Sequence, residues 1–419
     1  MFQINNERNL PSLFGLILFI GMMAAGYYFN LTFVQLGLED FGSRQLGLNP
    51  SVIAGYMAML AVGTSLVALA FGWWMRVQRL ARRFRFKLKA VAGVVAAQTL
   101  LTISLPIVQD SGGFLFWLLC TAAVLGIGVP ATFSLAVDLV PVRARGLAAA
   151  LITALSYFAA ETLSSSWTYE FFRERALWVL APGTVGIAVL ALIRHPWLDA
   201  LALQHRDPQF AQGRFVRSQS ESKSRFQAGV LQFVVLMFAV YFIDSLGFLR
   251  LLKVPGFMQV TWQSPLLSDR LFISGIHLIG AVIGGLLYDA LSERQLFFWI
   301  FGLFALTHLQ YSLHLRTTGD TLVTLATPML YALAVSLYTV VNFAIWADLS
   351  TPDTISFNAA LGVALSAWTA TFLSTALALY WQGQGLSLVR HIQIVNALAL
   401  LLFLALLMLA FFRKPERIS

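Results

Sequence analysis

The sequence predicts an all-α membrane protein with twelve transmembrane helices arranged in two pseudo-symmetric six-helix halves. Three observations support this fold class: the composition, the recurrence of long apolar segments, and a similarity between the two halves of the chain. Hydrophobic residues make up 58% of the 419 residues and charged residues only 11%, whereas a soluble domain carries roughly 25% charged residues. So few charges leave most of the surface apolar, and that surface must face lipid.

Apolar segments of about 20 residues recur along the whole chain, and each is long enough to cross a bilayer core of about 30 Å as a helix. Because no backbone polar group can stay unpaired in lipid, these segments must be helical. The twelve predicted spans cover about residues 12–37, 51–75, 88–108, 114–138, 146–169, 176–194, 228–250, 267–288, 295–314, 321–346, 356–381 and 391–412.

Most connections between the spans are short, so neighbouring helices should run antiparallel. The exception is the segment between spans six and seven, which is rich in Arg, Gln and Ser. Such a composition is typical of a flexible or surface-lying linker. We therefore predict an N-terminal half over residues 1–194, a cytoplasmic central linker over 195–227 and a C-terminal half over 228–419.

The basic residues predict the orientation in the membrane. With the N-terminus inside, the cytoplasmic segments hold 20 of the 28 Lys and Arg residues and the outer segments hold the other 8. Since positive residues concentrate on the cytoplasmic side, both termini should be cytoplasmic, with the protein in the cell (inner) membrane. The polar first ten residues lack a small-residue cleavage site, which favours a retained tail over a signal peptide.

Two pairs of short segments indicate an internal repeat. Residues 25–30 (AGYYFN) match residues 239–244 (AVYFID) at an offset of 214, and residues 137–139 (VDL) match residues 347–349 (ADL) at an offset of 210. The matching segments lie in corresponding spans of the two halves. Two matches at nearly the same offset favour a six-plus-six repeat.

The segment between spans eight and nine, residues 284–294 (GGLLYDALSER), carries the most specific motif. It resembles the G-x-x-x-D-x-x-x-x-R signature of the short cytoplasmic loops of the major facilitator superfamily. Residues 138–146 (DLVPVRARG) resemble the acid-to-RG turn between the fourth and fifth helices of that family. With the twelve spans, the linker and the repeat, the resemblance covers nearly the whole chain. It implies a secondary transporter that moves a small solute by alternating access around a midplane site.

The sequence also departs from the family pattern. Arg76 stands where the signature aspartate belongs in the loop between spans two and three, the fourth span has no embedded arginine, and the fifth lacks a Gly-Pro motif. These departures argue against a drug/proton exporter of the usual kind. Two alternatives remain open: an uncoupled or lipid/amphiphile-handling member, and a non-transporting receptor or assembly factor on the same fold.

Charges in the cytoplasmic loops predict a gate. In the family's fold each signature loop abuts the opposite half, so opposite charges in these loops would pair across the halves. We expect one clamp of Asp289 with Arg143 or Arg145, and a second of the Arg76–Arg79 region with Asp348 or Asp353. Asp289 would also lie at the positive end of the fifth helix. The full predicted set is Asp289, Arg294, Arg143, Arg145, Arg76, Asp348 and Asp353. The alternative is that these charges only set topology.

Glu161 and Asp244 are the two acids deep within predicted spans, and both lie about 24 Å from the cytoplasmic end at the helical rise. An acid inside the membrane is costly and marks a functional site by default, so both are candidates for proton coupling. The competing interpretation is a structural acid paired with a nearby arginine or with backbone. The family resemblance places the substrate cavity on helices one, four, seven and ten, where the polar candidates are Tyr28, Asn30, Thr32, Tyr241, Asp244, Ser245, Tyr338 and Asn342.

The remaining expectations are negative. The chain has one cysteine and no CxxC pair, and His277 and His308 lack a second ligand at i+3 or i+4, so no metal site or cofactor is expected. No HExxH, paired catalytic acids, Ser/His/Asp grouping or nucleotide loop is present, which argues against an enzyme. The net charge of +9 is assigned to membrane orientation and not to nucleic acid. The expected partners are a small-molecule substrate, protons and the bilayer, and the protein is expected to be a monomer.

Overall fold

The computed structural model describes residues 10–163, 166–216, 223–251, 262–316 and 321–412. In these ranges twelve long helices follow one another. The first six are α1 (Leu10–Gln45), α2 (Pro50–Val77), α3 (Phe84–Ile107), α4 (Ser111–Leu139), α5 (Arg145–Thr162) and α6 (Tyr169–Leu192). The other six are α7 (Lys223–Leu251), α8 (Leu267–Ala290), α9 (Glu293–Arg316), α10 (Thr321–Asp348), α11 (Ile355–Gly383) and α12 (Leu388–Phe412).

Ten of these helices are long and apolar enough to cross a membrane, and the chain is a multi-pass α-helical membrane protein. The other two are α5 and α9. Helix α5 is less apolar because it contains Arg145, Ser156 and Glu161. These three side chains are buried against neighbouring helices, so they face protein and not lipid. Helix α9 contributes a shorter apolar stretch over Phe298–Gln310.

Capping side chains mark the first residues of α2 and α4. Asn49 caps α2 by accepting a hydrogen bond from the backbone N–H of Val52 at 3.0 Å, and Pro50 takes the first helical position, where its missing N–H costs nothing. Asp110 caps α4 in the same way through the N–H of Gly113 at 2.7 Å. Side-chain acceptors at this position satisfy N–H groups that the helix leaves unpaired.

Helix α1 extends beyond its predicted end near residue 37. It is π-helical over Asn30–Gly37, inside the predicted span, and again over Phe41–Gln45, beyond it, with the α-helical turn Leu38–Asp40 between. In the C-terminal part of α1, Phe33 and Phe41 pack against aromatic residues of α4 and α6. The wider winding therefore depends on tertiary packing. Such windings often occur at functional sites. Helix α11 contains a third π-helical stretch over Ala360–Trp368.

The described part of the linker is ordered and lies on the surface at one end of the bundle. It forms short helices over Pro196–Leu203 and Pro208–Ala211, which bury Leu201 and Phe210. Of the two forms the sequence allowed, flexible or surface-lying, these residues adopt the second. Residues 217–222 lie outside the described ranges. We call this end of the bundle the inner end, following the orientation predicted from the basic residues, and the opposite end the outer end.

The two sets of six helices meet along α5 with α8 and along α2 with α11. Small residues allow the first pair to approach closely: a Cβ built on Gly285 of α8 would lie 2.9 Å from the Cβ of Ala150 and 3.0 Å from the backbone oxygen of Gly146, both on α5. Gly72 of α2 likewise faces the backbone of α11, where Ser356 donates a hydrogen bond to its carbonyl at 3.1 Å. Close backbone approach through small residues is the usual basis of helix association in lipid.

Candidate functional site

The best-connected contact between the halves lies at the inner end, where Arg145 begins α5. Its guanidinium donates to Oδ1 of Asp348 at 2.7 Å and to two backbone oxygens, those of Ala347 at 2.9 Å and Phe210 at 2.8 Å. Both charged side chains are fully enclosed, with 2% of Arg145 and 1% of Asp348 exposed. This buried pair joins α5 of the first half to the end of α10 in the second, and it includes the linker through Phe210.

Tyr288 and Arg214 complete this inner contact. Tyr288, at the end of α8, donates to the second oxygen of Asp348 at 2.6 Å. Arg214 of the linker donates to the carbonyl of Tyr288 at 2.6 Å, and its guanidinium lies 4.5 Å from the centre of that tyrosine ring. The backbone N–H of Arg214 also donates to Asp348 at 3.3 Å. The Asp348 carboxylate is therefore satisfied by groups from both halves and the linker, as a buried charge requires.

Asp289, the aspartate of the signature motif, lies against the start of α5. Its carboxylate occupies the position that a Cβ on Gly146 would take, and it hydrogen-bonds the Gly146 backbone. The positive end of a helix stabilises a carboxylate in this position, as the sequence predicted for Asp289. Among the described side chains, the basic group nearest to Asp289 is Arg214, whose guanidinium nitrogen lies 3.8 Å from its carboxylate.

The pairings between these loops differ from the predicted ones. Arg145 pairs with Asp348 and not with Asp289, while Arg143 is exposed. The arginine that approaches Asp289 is Arg214, which the sequence analysis had assigned only to the linker. Asp289 is already held by the backbone at the start of α5, at Gly146. The Arg145 side chain extends in another direction, to Asp348 at the end of α10. Arg294 belongs to the side chains outside the described set.

We expect Gly146→Ala to destabilise the protein, because the added methyl group would overlap the Asp289 carboxylate and push α8 away from α5. Overpacking of this kind typically costs about 1–3 kcal/mol. The midpoint of thermal unfolding in detergent measures the effect. Gly93→Ala is the matched control, because a Cβ on exposed Gly93 meets nothing within 4 Å. Equal midpoints for the two variants would show that the close approach at Gly146 is unimportant.

The second inner contact between the halves is an exposed ion pair. Arg82, in the connection between α2 and α3, holds Asp353 with two guanidinium nitrogens. Hydrogen bonding to Asp353 raises the pKa of Arg82, so this arginine stays charged over the whole working pH range. The predicted partner region was Arg76–Arg79; Arg76 instead lies over the rings of Trp73 and Phe357, 5.9 and 5.7 Å from their centres.

We expect Arg82→Ala to change the unfolding free energy by less than about 1 kcal/mol, since both side chains of the pair are roughly half exposed and exposed pairs contribute little. The same unfolding measurement tests this at low and high salt. If the unfolding midpoint of Arg82→Ala fell as far as that of Arg145→Met, whose ion pair is buried, the Arg82–Asp353 pair would contribute more than an exposed pair should.

Asp138, the counterpart of Asp348 in the predicted repeat, anchors the other side of the linker. It is fully buried and paired with Lys87 of α3, which also donates to the carbonyl of Ser134 at 2.9 Å. Nδ1 of His205 in the linker lies 3.3 Å from the remaining oxygen of Asp138. The two repeat-related acids thus hold the linker against both halves, Asp138 through His205 and Asp348 through the backbone of Arg214.

A second polar cluster lies toward the outer end, inside the bundle. Asp244 of α7 accepts a hydrogen bond from Tyr338 at 2.6 Å and a longer one from Tyr331 at 3.4 Å, both on α10. These groups reach one oxygen only. The other, Oδ1, is buried and has no hydrogen-bond partner among the described residues. A buried acceptor left open in this way is available to a proton or to a donor on a bound solute.

Glu161 joins the two halves in the same region. Its Oε1 lies 2.7 Å from Nε2 of His277 on α8 and accepts a hydrogen bond from the indole of Trp262 at 2.9 Å. Nδ1 of His277 is 2.9 Å from the hydroxyl of Ser336, and its ring stacks on Tyr157 with centres 4.4 Å apart. Oε2 of Glu161 has no described partner. Histidine and carboxylate in contact form a pair that can share and exchange a proton.

Both acids line one small central cavity of about 80 Å³. We call Asp244, Glu161, His277, Tyr331 and Tyr338 the central cluster. A larger cavity of about 440 Å³ adjoins it, and Tyr27, Leu31, Gln35, Tyr241 and Thr371 line both. At the outer end the halves also touch, since a Cβ on Gly383 would lie 3.0 Å from the hydroxyl of Ser51. The two halves therefore touch on both the inner and the outer side of the central cluster.

Seven of the eight predicted cavity residues line one or both cavities. Thr32, Asp244, Ser245 and Tyr338 line the small one, Asn30 and Asn342 the large one, and Tyr241 both. Tyr28 lines neither, and its side chain is buried elsewhere in the first half. Asn30 and Thr32 each donate to a backbone oxygen one turn earlier, at 2.7 Å. Their part in substrate binding stays a prediction.

Sequence reasoning missed several cavity residues because it confined the cavity to four helices. Trp262 precedes α8, His277 lies on α8 and Thr371 on α11. His277 was noted, but was given no partner because only neighbours at helical spacing were considered. An intramembrane histidine and an intramembrane acid in one sequence were the available signal for the Glu161–His277 contact.

Comparison with solved structures supports the fold. The human organic anion transporter MFSD10 (TETRAN) is 16% identical, with a TM-score of 0.58, 96% of this chain and 99% of that chain covered. The proton:xylose symporter XylE is 12% identical, with a TM-score of 0.62 and 97% of each chain covered. A bacterial homologue of the iron transporter ferroportin, in an outward-facing state, is 13% identical, with a TM-score of 0.60 and coverages of 96% and 99%.

No family model matches the sequence, and no curated protein matches it. The likeness is therefore one of three-dimensional structure over nearly the full length of the chain. Together with the twelve helices and the contacts between their two sets of six, it shows that this protein has the all-α fold of the major facilitator superfamily.

Proposed function

We propose that this protein is a secondary transporter that moves a small solute across the cell (inner) membrane by alternating access. The observation that carries the proposal is the placement of two buried acids from opposite halves, Glu161 and Asp244, in one central cavity. Each acid keeps one oxygen open. Intramembrane acids are retained where a substrate or a proton is handled, and the solved transporters of like fold move solutes, protons or iron according to their descriptions.

Alternating access also requires contacts that can close the inner end, and we propose that the inner contacts between the halves serve this purpose. A solute released to the inside must pass between α5 and α8 or between α2 and α11, where the Arg145–Asp348 and Arg82–Asp353 pairs lie. We propose that these pairs hold the inner end shut until the halves rock apart. Proton binding at Asp244 or at the Glu161–His277 pair would drive that change. The protein acts as a monomer in this proposal, with both termini cytoplasmic and with no enzymatic step.

Distances between the halves test alternating access directly. In a Cys120→Ala background, spin labels at positions 143 and 292 report on the inner end, and labels at 43 and 384 on the outer end; the native residues at all four are exposed. In nanodiscs, between pH 5 and pH 8, we expect the inner distance to lengthen as the outer one shortens. Fixed distances at both ends under every condition would favour a non-transporting receptor.

Flux provides the second test. Proteoliposomes that enclose a pH-sensitive dye should show proton movement when a member of a solute library is added, and none without protein. A solute that stabilises the purified protein but crosses no membrane would overturn transport and leave only binding.

A further inference from the structure

The larger cavity has a different chemical character from the central cluster. Most of its lining is apolar and comes from α1, α3, α4 and α6 of the first half, with a deep end formed by α7, α10 and α11. Its polar lining residues come from both halves: Asn30, Gln98 and Thr132 among those of the first, and Tyr241, Asn342 and Thr371 in the second. At about 440 Å³ its volume falls within the usual range of ligand pockets, roughly 300–1,000 Å³. We call it the lateral cavity.

The lateral cavity reaches the surface between α1 and α6. Ile17 and Gly21 of α1 and Gly186 of α6 line it and are exposed as well. A Cβ built on Gly21 or Gly186 would meet nothing within 4 Å, and the same holds for Gly26 deeper in the cavity. Glycines therefore border open space on both sides of this gap, and side chains there would narrow it.

Contacts close the gap above and below this opening. Toward the outer end α1 meets α6, where a Cβ on Gly37 would lie 3.6 Å from Phe172. Toward the inner end the linker helix Pro196–Leu203 covers α1: a Cβ on Gly15 would lie 2.9 Å from Leu201, and Gln204 donates to Ser12 at 2.7 Å. The opening that remains faces sideways.

The distances along its two bordering helices place it in the hydrocarbon, between the inner surface and about the middle of the bilayer. Gly21 is about 16 Å along α1 from Leu10, and Gly186 is about 9 Å along α6 from Leu192, at the helical rise of about 1.5 Å per residue. One leaflet contributes about half of a hydrocarbon core roughly 30 Å thick. The opening therefore meets acyl chains and not headgroups or water.

We propose that the lateral cavity takes the hydrocarbon chain of a single-chain amphiphile from the inner leaflet, while the head, which carries N–H donors, binds the open oxygens of Asp244 and Glu161. This names the substrate class of the proposed transporter and rests on that function. The chain exchanges one apolar surrounding for another, so entry from lipid costs little. The head matches the cluster because Asp244 Oδ1 and Glu161 Oε2 are acceptors without described partners. An amine supplies both the donors and the opposite charge.

The lateral cavity and the central cavity share part of their lining, and this shared wall connects the opening to the two acids. Tyr27, Leu31 and Tyr241 line both cavities, so a chain in the lateral cavity brings its head to this shared wall. Tyr27 and Tyr157 hydrogen-bond each other at 2.9 Å, and the Tyr157 ring stacks on His277.

Binding to the full-length protein in nanodiscs tests the inference. The probe is tritiated hexadecylamine, detected by scintillation proximity, with unlabelled ethanolamine, hexadecanol and palmitate as competitors. We expect saturable binding that excess ethanolamine or palmitate does not displace and that hexadecanol displaces weakly. Gly21→Leu and Gly186→Leu should each weaken binding at least about fivefold, since added side chains fill the opening. If ethanolamine displaced the probe as strongly as unlabelled hexadecylamine does, the hydrocarbon chain of the probe would have no binding site on the protein.

Gly93→Leu is the matched control. Gly93 is exposed on α3 with nothing within 4 Å of its Cβ position, and it does not line the lateral cavity. Equal binding by Gly21→Leu, Gly186→Leu and Gly93→Leu would overturn the lateral route, as would absence of saturable binding. Gly21→Ala should lie between the wild type and Gly21→Leu, and unfolding midpoints confirm that each variant is folded.

Two results separate this inference from the proposed function. If the protein moves a water-soluble solute and Gly21→Leu leaves that flux unchanged, the amphiphile inference fails and the transporter stands. If hexadecylamine binds as expected but proteoliposomes do not speed its transfer between leaflets, the binding site stands and transport fails.

Discussion

We expect Arg145→Met to have the largest effect on stability of any single change at the inner end. The substitution keeps much of the side-chain volume but removes the donors to Asp348, Ala347 and Phe210. It leaves Asp348 charged and buried, held by Tyr288 and the backbone of Arg214 alone. Removing one partner of a buried ion pair costs about 3–5 kcal/mol. The unfolding midpoint in detergent measures the loss, and the spin-label distance at the inner end should broaden.

Arg143→Met is the matched control, because Arg143 is two residues away and exposed. Exposed positions of this kind usually change the unfolding free energy by less than about 0.5 kcal/mol. The double variant Arg145→Met with Asp348→Asn should lose less than the two single losses added together, since neither charge is then left alone. Equal midpoints for Arg143→Met and Arg145→Met would refute the importance of the pair.

Asp244→Asn should have the largest effect on transport. The amide has nearly the shape of the carboxyl group and can still accept a hydrogen bond from Tyr338, but it cannot bind and release a proton. If Asp244 carries the proton, solute uptake driven by a pH gradient should fall at least about tenfold, which corresponds to about 1.4 kcal/mol. Exchange of solute without a gradient should persist. Dye-loaded proteoliposomes provide both measurements.

Two further variants make the result specific. Ser245→Ala changes a neighbouring residue that lines the same cavity without a proton-binding group, so it should leave the pH dependence in place. Glu161→Gln tests the second acid through its contact with His277. Should uptake keep its full pH response in both Asp244→Asn and Glu161→Gln, neither acid carries the proton and another group couples it. Wild-type uptake that does not respond to a pH gradient would instead fit an uncoupled transporter.

Together, the two predictions link the central cluster to the inner end. Helix α5 carries Arg145 at its first residue and Glu161 in its last turn, and α8 carries His277 and Asp289 along the facing side. If Glu161 binds a proton or solute as proposed, a change there would act on α5 and α8, the same pair of helices that meets at the inner end. The buried pair at Arg145 and the pair at Glu161 both join the two halves.

Periodicity and composition were sufficient for the helices. Each span had to be long, apolar and helical, because lipid supplies no partner for backbone polar groups. The motif at residues 284–294 located Asp289 at the start of α5, since helix ends attract carboxylates wherever the chain brings them. The boundary of α1 was the clearest miss, because the π-helical extension over Phe41–Gln45 depends on aromatic packing of Phe41 against α4 and α6.

Composition and periodicity were enough to predict a twelve-helix membrane bundle with two acids, Glu161 and Asp244, deep within its spans and charged residues in its inner loops. Only the tertiary structure decided the partners: Arg145 with Asp348, Arg214 near Asp289, and Glu161 with His277. The physical reason is distance along the chain. Burial and helix formation depend on local composition, whereas a buried charge takes the partner that folding brings within about 3 Å, and that partner can be 203 residues away.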